Sequence, residues 1–425
     1  MSTIKVSRTK DYFLKNDGKF FYLADTVWSA FTNASFEEWE EYLSYRRMQG
    51  FNTLQINVLP QHDRSEPDFQ VGVPFELSPN GKMDFAKPNE EYFSRVEKML
   101  EVACEKGFMP ALVVLWCNYV KGTWGSKINP DEIIPLELVE DYVTYVAERL
   151  RKFKPVFIAS GDTNFETSEA TAYYRLTLDT LKKKASECLT TMHLCGGLSE
   201  IPEELENSPS LDFYMFQSGH VKENQTLPYV VAEKFYKKKV KKPIVNGEPC
   251  YEGISHGTKY ERFNAFDVRK EIWQSLLSGA KAGVTYGSHG VWSWHKKGRK
   301  YRGWPFGGIP YDWRVALRFP GAWDAAFAKW IFEKHDLFNL EPANDILLNE
   351  TPEIRVSKSS EKIAIYSPFN TDVKIRLNLS GYEWEAIELW TRKTFKPEIE
   401  ASMEQSVIKM HEFNSDVLFI GEKRS

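Results

Sequence analysis

The chain has 425 residues, 42% apolar and 27% charged, with a formal net charge of −4 at neutral pH. These are ordinary globular proportions and give no basic surface that would mark a nucleic-acid binder. No apolar run approaches the roughly 20 residues of a membrane span, so neither a nucleic acid nor a membrane is expected as partner.

The first strand is expected at Phe20–Trp28. Ser35-Phe-Glu-Glu38 then reads as a capping box, in which a hydroxyl and a carboxylate satisfy free backbone donors. Trp39, Tyr42 and Leu43 follow at helical spacing, and Gly50 ends that helix. Strand two is expected at Phe51–Leu59, helix two at Glu90–Lys106 and strand three at Met109–Trp116. Helix three should bury Val139, Tyr142, Val143, Val146 and Leu150. Strand four ends at Asp162, followed by a helix near Ala170–Ser186 and strand five at Leu189–Cys195. Strand six is Leu211–Gln217, a short helix covers Pro228–Lys238, and strand seven ends at Glu248. A helix at Phe263–Ser278, strand eight at Gly283–Trp292 and a last helix within Trp313–Lys334 complete eight strand–helix units. That number predicts a (β/α)8 TIM barrel, an α/β fold. Beyond about residue 340 the pattern becomes short alternating runs, at Ile354–Ser357, Lys362–Ser367, Val373–Leu379, Ala386–Trp390 and Val417–Ile420. The expected division is a barrel over 1–340 and a small antiparallel β-sandwich over 341–425.

The five cysteines (Cys104, Cys117, Cys188, Cys195, Cys250) are odd in number and lack CxxC spacing. With no export signal visible near the start, they read as free thiols in a reducing cytoplasm.

Two acids stand out. Asp162 closes Pro155-Val-Phe-Ile-Ala-Ser-Gly-Asp162, and Glu248 closes Lys242-Pro-Ile-Val-Asn-Gly-Glu248. In a barrel all strand C-termini open onto one face, so these carboxylates can converge across the mouth. Paired carboxylates cut glycosidic bonds, at about 5–5.5 Å when retaining and about 6.5–9.5 Å when inverting. Either spacing suits strand ends four and seven. The aromatics Trp28, Trp116, Tyr119, Trp124, Tyr251, Trp292, Trp294 and Trp304 flank strand ends in polar, glycine-containing segments. There they suit an exposed platform for the C–H faces of sugar rings, core packing being the alternative.

Secondary candidates follow from the same rim. Asp25 and Trp28 could line the sugar subsite, or cap a loop and pack in the core. Gln55 and Asn57 share one face of strand two, where an inward polar pair binds hydroxyls. His193, His220 and His289 lie at the ends of strands five, six and eight, and Gln217, Tyr251 and Glu252 stand nearby. Glu252 could instead be an ion-paired or base-orienting acid. No cofactor or metal is expected. Gly253-Ile-Ser-His-Gly257 is a formal GxSxG, but a nucleophile elbow needs an apolar strand before it and a helix after it. His411-Glu412 lacks the second histidine of a zinc-peptidase motif, and no His-x-His occurs. The non-enzymatic alternative is a carbohydrate-binding protein on the same barrel, which would need the aromatics but not both acids.

Ala24-Asp-Thr-Val-Trp28, Tyr45–Asn57, Ser160-Gly-Asp162 and Asn246-Gly-Glu-Pro-Cys-Tyr-Glu252 resemble the apiosidase-like glycoside hydrolases. The resemblance covers nearly the whole chain, including Leu389–Arg392 and Asp416–Phe419 in a tail that this family labels collagen-binding. It implies a barrel hydrolase with acid/base Asp162, nucleophile Glu248 and a retaining outcome. With no export signal visible, small imported oligosaccharides or glycosides are the expected substrates.

Overall fold

The computed structural model describes residues 3–254, 261–303 and 308–424. A three-stranded antiparallel ribbon opens the chain: β1 (Ile4–Val6), β2 (Phe13–Lys15) and β3 (Gly18–Phe20). Eight parallel strands follow: β4 (Tyr22–Thr26), β5 (Thr53–Asn57), β8 (Met109–Trp116), β9 (Val156–Gly161), β10 (Thr190–Thr191), β11 (Tyr214–Gln217), β12 (Ile244–Glu248) and β13 (Gly283–Tyr286). Between β5 and β8 the chain makes a hairpin of β6 (Phe75–Leu77) and β7 (Met83–Pro88). The barrel order is β10-β9-β8-β5-β4-β13-β12-β11. Between β10 and β11, among the described residues, the ring is joined by one parallel bridge, His193–Met215, and by Asp212 N–H donating to Thr190 O at 2.9 Å.

Local chemistry sets the helices. Ser35 Oγ accepts from Glu38 N–H at 3.2 Å and Glu38 Oε2 accepts from Ser35 N–H at 3.0 Å, opening helix Phe36–Gln49. Gly50, at φ +97°, closes it in a left-handed conformation that suits glycine. The other crossover helices are Glu90–Glu105, Leu136–Leu150, Ser168–Lys184, Leu227–Tyr236 and Ala265–Leu276. The expected last helix is two, Trp313–Ala316 and Gly321–Lys334. Pro320 stands between them, and it cannot donate the backbone hydrogen bond that a continuous helix would need there.

The C-terminal region folds as two antiparallel sheets. One has six strands in the order β14 (Glu341–Pro342), β15 (Arg355–Lys358), β16 (Lys362–Ser367), β22 (Val417–Lys423), β18 (Tyr382–Glu388), β19 (Thr394–Phe395). The other joins β17 (Val373–Ile375), β21 (Ser406–Ile408) and β20 (Ile399–Ala401). Alternation along β16 explains the docking: Ile363 and Ile365 enter the core between these sheets, while Ala364 and Tyr366 join the barrel's core. The six-stranded sheet is thus buried on both faces and fixed to the barrel flank.

Candidate active site

The barrel mouth holds a cavity of about 480 Å3, walled by Trp28, Trp116, Trp124, Tyr251, Trp292 and Tyr301, with Asp63, Asp162 and Glu248 among its polar lining. Glu248 is aimed by an irregularity in β12. Phe216 pairs with Asn246 but Gln217 pairs with Glu248, so the register slips by one residue at Gly247. Such a slip re-aims the side chain at a strand end. Gln217 Nε2 donates to Glu248 Oε1 at 3.1 Å, and His220 Nε2 lies 2.8 Å from the same oxygen. His193 Nε2 stands 3.1 Å from Glu248 Oε2, off-line for a good hydrogen bond.

Both imidazoles are oriented from behind. His193 Nδ1 accepts the backbone N–H of Asp162 at 3.3 Å, and His220 Nδ1 accepts that of Tyr251 at 3.2 Å. A ring nitrogen that accepts carries no hydrogen, so in each ring the N–H is at Nε2, facing Glu248. Burial raises the pKa of Glu248, but the two histidines that face it more than offset this and hold it at about 2.

Asp162 follows β9 in a left-handed conformation, φ +52°, uncommon for aspartate and found where structure fixes a functional group. The preceding Gly161 is dictated by packing: a Cβ there would come 2.1 Å from Trp116 Cε3. Trp124 Nε1 donates to Asp162 O at 2.9 Å, pinning the backbone, and no hydrogen bond restrains the carboxyl among the described residues. Burial, then the charges of Glu248 and Asp63, push the Asp162 carboxyl well above the usual range. One acid of the cavity is therefore biased towards the proton and the other towards the charge. His193 links them, touching the Asp162 backbone with one nitrogen and facing Glu248 with the other.

The aromatic wall is braced internally. Trp28 Nε1 donates to Tyr251 OH at 2.9 Å, and the Trp28 and Trp116 rings lie 5.2 Å apart. Tyr251 packs on His220 at 4.3 Å and can do so because Gly287 leaves room, since a Cβ there would fall 2.1 Å from Tyr251 Cδ1.

Of the residues singled out in the sequence, Asp162, Glu248, Trp28, Trp116, Trp124, Gln217, His220, Tyr251 and Trp292 line the cavity, His193 backs Glu248, and Tyr119 and Trp294 pack in the barrel's core instead of on an exposed platform. Five others are employed elsewhere. Asp25 is fully buried in an ion pair with Arg46 Nε at 2.6 Å and also accepts from Tyr42 OH at 2.6 Å. Gln55 lies inside the barrel, accepting from Tyr22 OH at 3.0 Å and donating to Gly247 O at 2.8 Å. Asn57 donates to Gln61 Oε1 at 3.1 Å and so supports the loop after β5. Glu252 accepts from Tyr286 OH at 2.7 Å and from Gly321 N–H at 2.9 Å, at the start of helix Gly321–Lys334. Burial raises its pKa to about 7. His289 accepts from Trp292 Nε1 at 3.2 Å and lies 3.1 Å from Gly308 O, so it orients Trp292 from behind. Burial lowers its pKa to about 3.

Asp63 went unremarked in the sequence. It lies six positions beyond Asn57, on a loop that leaves the C-terminal end of a barrel strand, and that position was its one available signal. Ser255 of the GxSxG segment and Trp304 lie outside the described residues. Among the described residues, no cluster of three or more His, Cys, Asp or Glu is placed to hold a metal ion. No described helix is long and apolar enough to cross a membrane.

Solved structures share the whole architecture. One titled glycoside hydrolase superposes with a TM-score of 0.82 at 20% identity, covering 99% of this chain and 97% of that one. A glycoside hydrolase family 5 protein from Bacteroides vulgatus ATCC 8482 gives 0.81 at 19% identity, over 99% and 93%. An endo-1,4-beta-mannanase from Rhizomucor miehei gives 0.51 at 13% identity, over 77% of this chain and all of its own. No curated protein sequence matches the chain significantly. Residues 7–339 match the model of the apiosidase-like catalytic domain, so the chain belongs to that family of glycosidases.

Proposed function

We propose that the protein releases terminal sugars from small oligosaccharides or glycosides by a retaining mechanism. Asp162 gives its proton to the glycosidic oxygen while Glu248 Oε2 attacks the anomeric carbon. The bond to the leaving group breaks and a glycosyl ester forms on Glu248. Asp162, now ionised, takes a proton from water, whose oxygen displaces Glu248 and restores both acids. The observation that carries this reading is the opposed tuning of two acids in one aromatic cavity. Glu248 is held at about 2 by two histidines, while Asp162 is raised by burial and neighbouring charge.

The described lining bears three carboxylates and no Lys or Arg, which favours neutral sugars over uronic acids. The C-terminal sheets serve the barrel as a packing partner rather than as a collagen-binding module. Their six-stranded sheet spends its second face on the barrel core. A cytoplasmic location accords with five cysteines, all free.

The test is a screen of nitrophenyl glycosides, furanosides included, with NMR of the first-formed anomer. Asp162→Asn and Glu248→Gln should each lower kcat by on the order of 1,000-fold or more on an active substrate. Undiminished turnover in either variant would refute the role given to that residue, and a first product of inverted configuration would refute retention.

A further inference from the structure

We propose that Asp63 reads the sugar: its carboxyl accepts a hydroxyl of the glycone and so sets which sugar the enzyme takes. The proposal rests on the glycosidase reading above. A glycosidase needs two carboxylates, and Asp63 is a third in the same cavity. Its Oδ1 is shut off from solvent and has no hydrogen-bond partner. Burial raises its pKa and the nearby charges of His62 and Arg64 pull it back, while Arg64 spends its Nη1 on Gln61 O at 2.9 Å. A buried acceptor left empty costs free energy, and at the wall of a cavity a bound ligand can fill it.

The loop is also held as a binding loop would be. Tyr119 OH donates to Pro60 O at 2.8 Å and Gln61 Nε2 donates to Ser29 Oγ at 2.9 Å. Beyond Asp63, Ser65 O accepts from Asn33 Nδ2 at 2.7 Å, and Ser65 pairs with the cavity-lining Tyr301 in an isolated bridge. Both flanks are thus fixed to the scaffold while Asp63 Oδ1 between them has no partner, as preorganised recognition requires. An ionised carboxylate only accepts hydrogen bonds, and a sugar hydroxyl is the donor that fits it. Two other cavity-lining groups, Trp116 Nε1 and Gln217 Oε1, are likewise buried without partners, offering one donor and one further acceptor to the same ring.

The experiment compares a nitrophenyl glycoside hydrolysed by the wild type with its monodeoxy analogues, on wild type, Asp63→Ala and Asp63→Asn. Asp63→Ala should lose on the order of 100-fold or more in kcat/KM on the parent. One monodeoxy analogue should lose a similar factor on the wild type and almost nothing further on the variant. Deoxygenation also alters intrinsic reactivity, but that change is common to both enzymes and cancels. If Asp63→Ala does not fold, Asp63→Asn keeps the side chain's shape and should show the same non-additivity to a smaller degree, because its amide oxygen is a weaker acceptor than a carboxylate. Losses that multiply for every analogue would overturn the assignment of Asp63 alone. A wild type that hydrolyses no glycoside at all would overturn the glycosidase reading and this proposal with it.

Discussion

His220 holds Glu248 from a fixed angle: its Nε2 lies 2.8 Å from Glu248 Oε1 while its Nδ1 accepts the Tyr251 backbone N–H at 3.2 Å. This donor helps keep Glu248 at about 2 against the upward push of burial. The nucleophile must be ionised, so its pKa sets the acid limb of the kcat/KM profile. His220→Phe removes the donor and should move that limb to higher pH. A hydrogen bond to a charged group is worth about 1.5–3 kcal/mol, so the limb should move by roughly 1–2 pH units. A pH–rate profile of the variant checks both, and an unmoved acid limb would show that His220 does not tune Glu248.

The alkaline limb belongs to Asp162. Its carboxyl is raised by burial first, then by the charges of Glu248 and Asp63. A general acid works only while protonated, so kcat/KM should fall as pH rises through that elevated pKa. Asp63→Asn removes one of the two opposing charges, which makes ionisation of Asp162 easier. The alkaline limb should therefore shift to lower pH, with the acid limb moving little. A shift in the opposite direction would contradict the charge coupling between Asp63 and Asp162.

The barrel was legible because its strands are apolar runs ending in polar rim residues. Met109–Trp116 is the same segment by sequence and by structure. Strand five was expected over Leu189–Cys195, yet only Thr190–Thr191 is regular, because the ring is barely joined at that point. In the C-terminal region β19, β20 and β21 escaped notice; they have two or three residues each, too few for alternation to register. Asp162 and Glu248 could be placed at the mouth from the sequence because a strand end fixes where a side chain goes. Asp25 shows the limit of that rule. It also ends a barrel strand, but successive side chains point to opposite faces, and Asp25 faces the surrounding helices rather than the mouth. Glu252 was misdirected by its neighbours: Tyr251 lines the cavity while Glu252 turns to Tyr286 and Gly321. Asp63 lies on an irregular loop, where no periodicity states direction.

The Asp25–Arg46 pair gives a stability prediction that separates a structural role from a catalytic one. Both side chains are fully buried, and Arg46 also donates to Gln49 Oε1 at 2.6 Å and Leu317 O at 3.0 Å. Arg46→Met leaves Asp25 buried with Tyr42 as its remaining side-chain donor. Removing one partner of a buried pair costs about 3–5 kcal/mol. Denaturant unfolding should report that loss, while the kcat of the folded fraction should stay within a few-fold of wild type. A large fall in kcat with unchanged stability would instead place Asp25 in the catalytic machinery.

Arg269 should couple the barrel and the C-terminal sheets into one unfolding unit. It lies on helix Ala265–Leu276 and contacts Asp416 through Nε at 2.8 Å and Nη2 at 2.6 Å, and Asp324 through Nη1 at 2.9 Å. Tyr366 OH adds a donor to Asp416 at 3.2 Å. All three charged side chains are buried, so the bidentate geometry is not shared with solvent. Asp416→Ala leaves Arg269 with one carboxylate and an unfilled site, at a cost of about 3–5 kcal/mol. Because Asp416 sits beside β22, the central strand of the six-stranded sheet, the loss should fall on the interface with the barrel. Calorimetry should show one transition for the wild type and, for Asp416→Ala, an earlier transition for the C-terminal sheets followed by that of the barrel. The triple variant Arg269→Met, Asp324→Leu, Asp416→Leu exchanges all three charges for apolar volume and should recover part of the loss, since well-packed apolar groups can match a buried ion-pair network. A single transition at the wild-type temperature in Asp416→Ala would show that apolar packing through Ala364, Tyr366, Leu418 and Ile420 holds the two regions together without this pair.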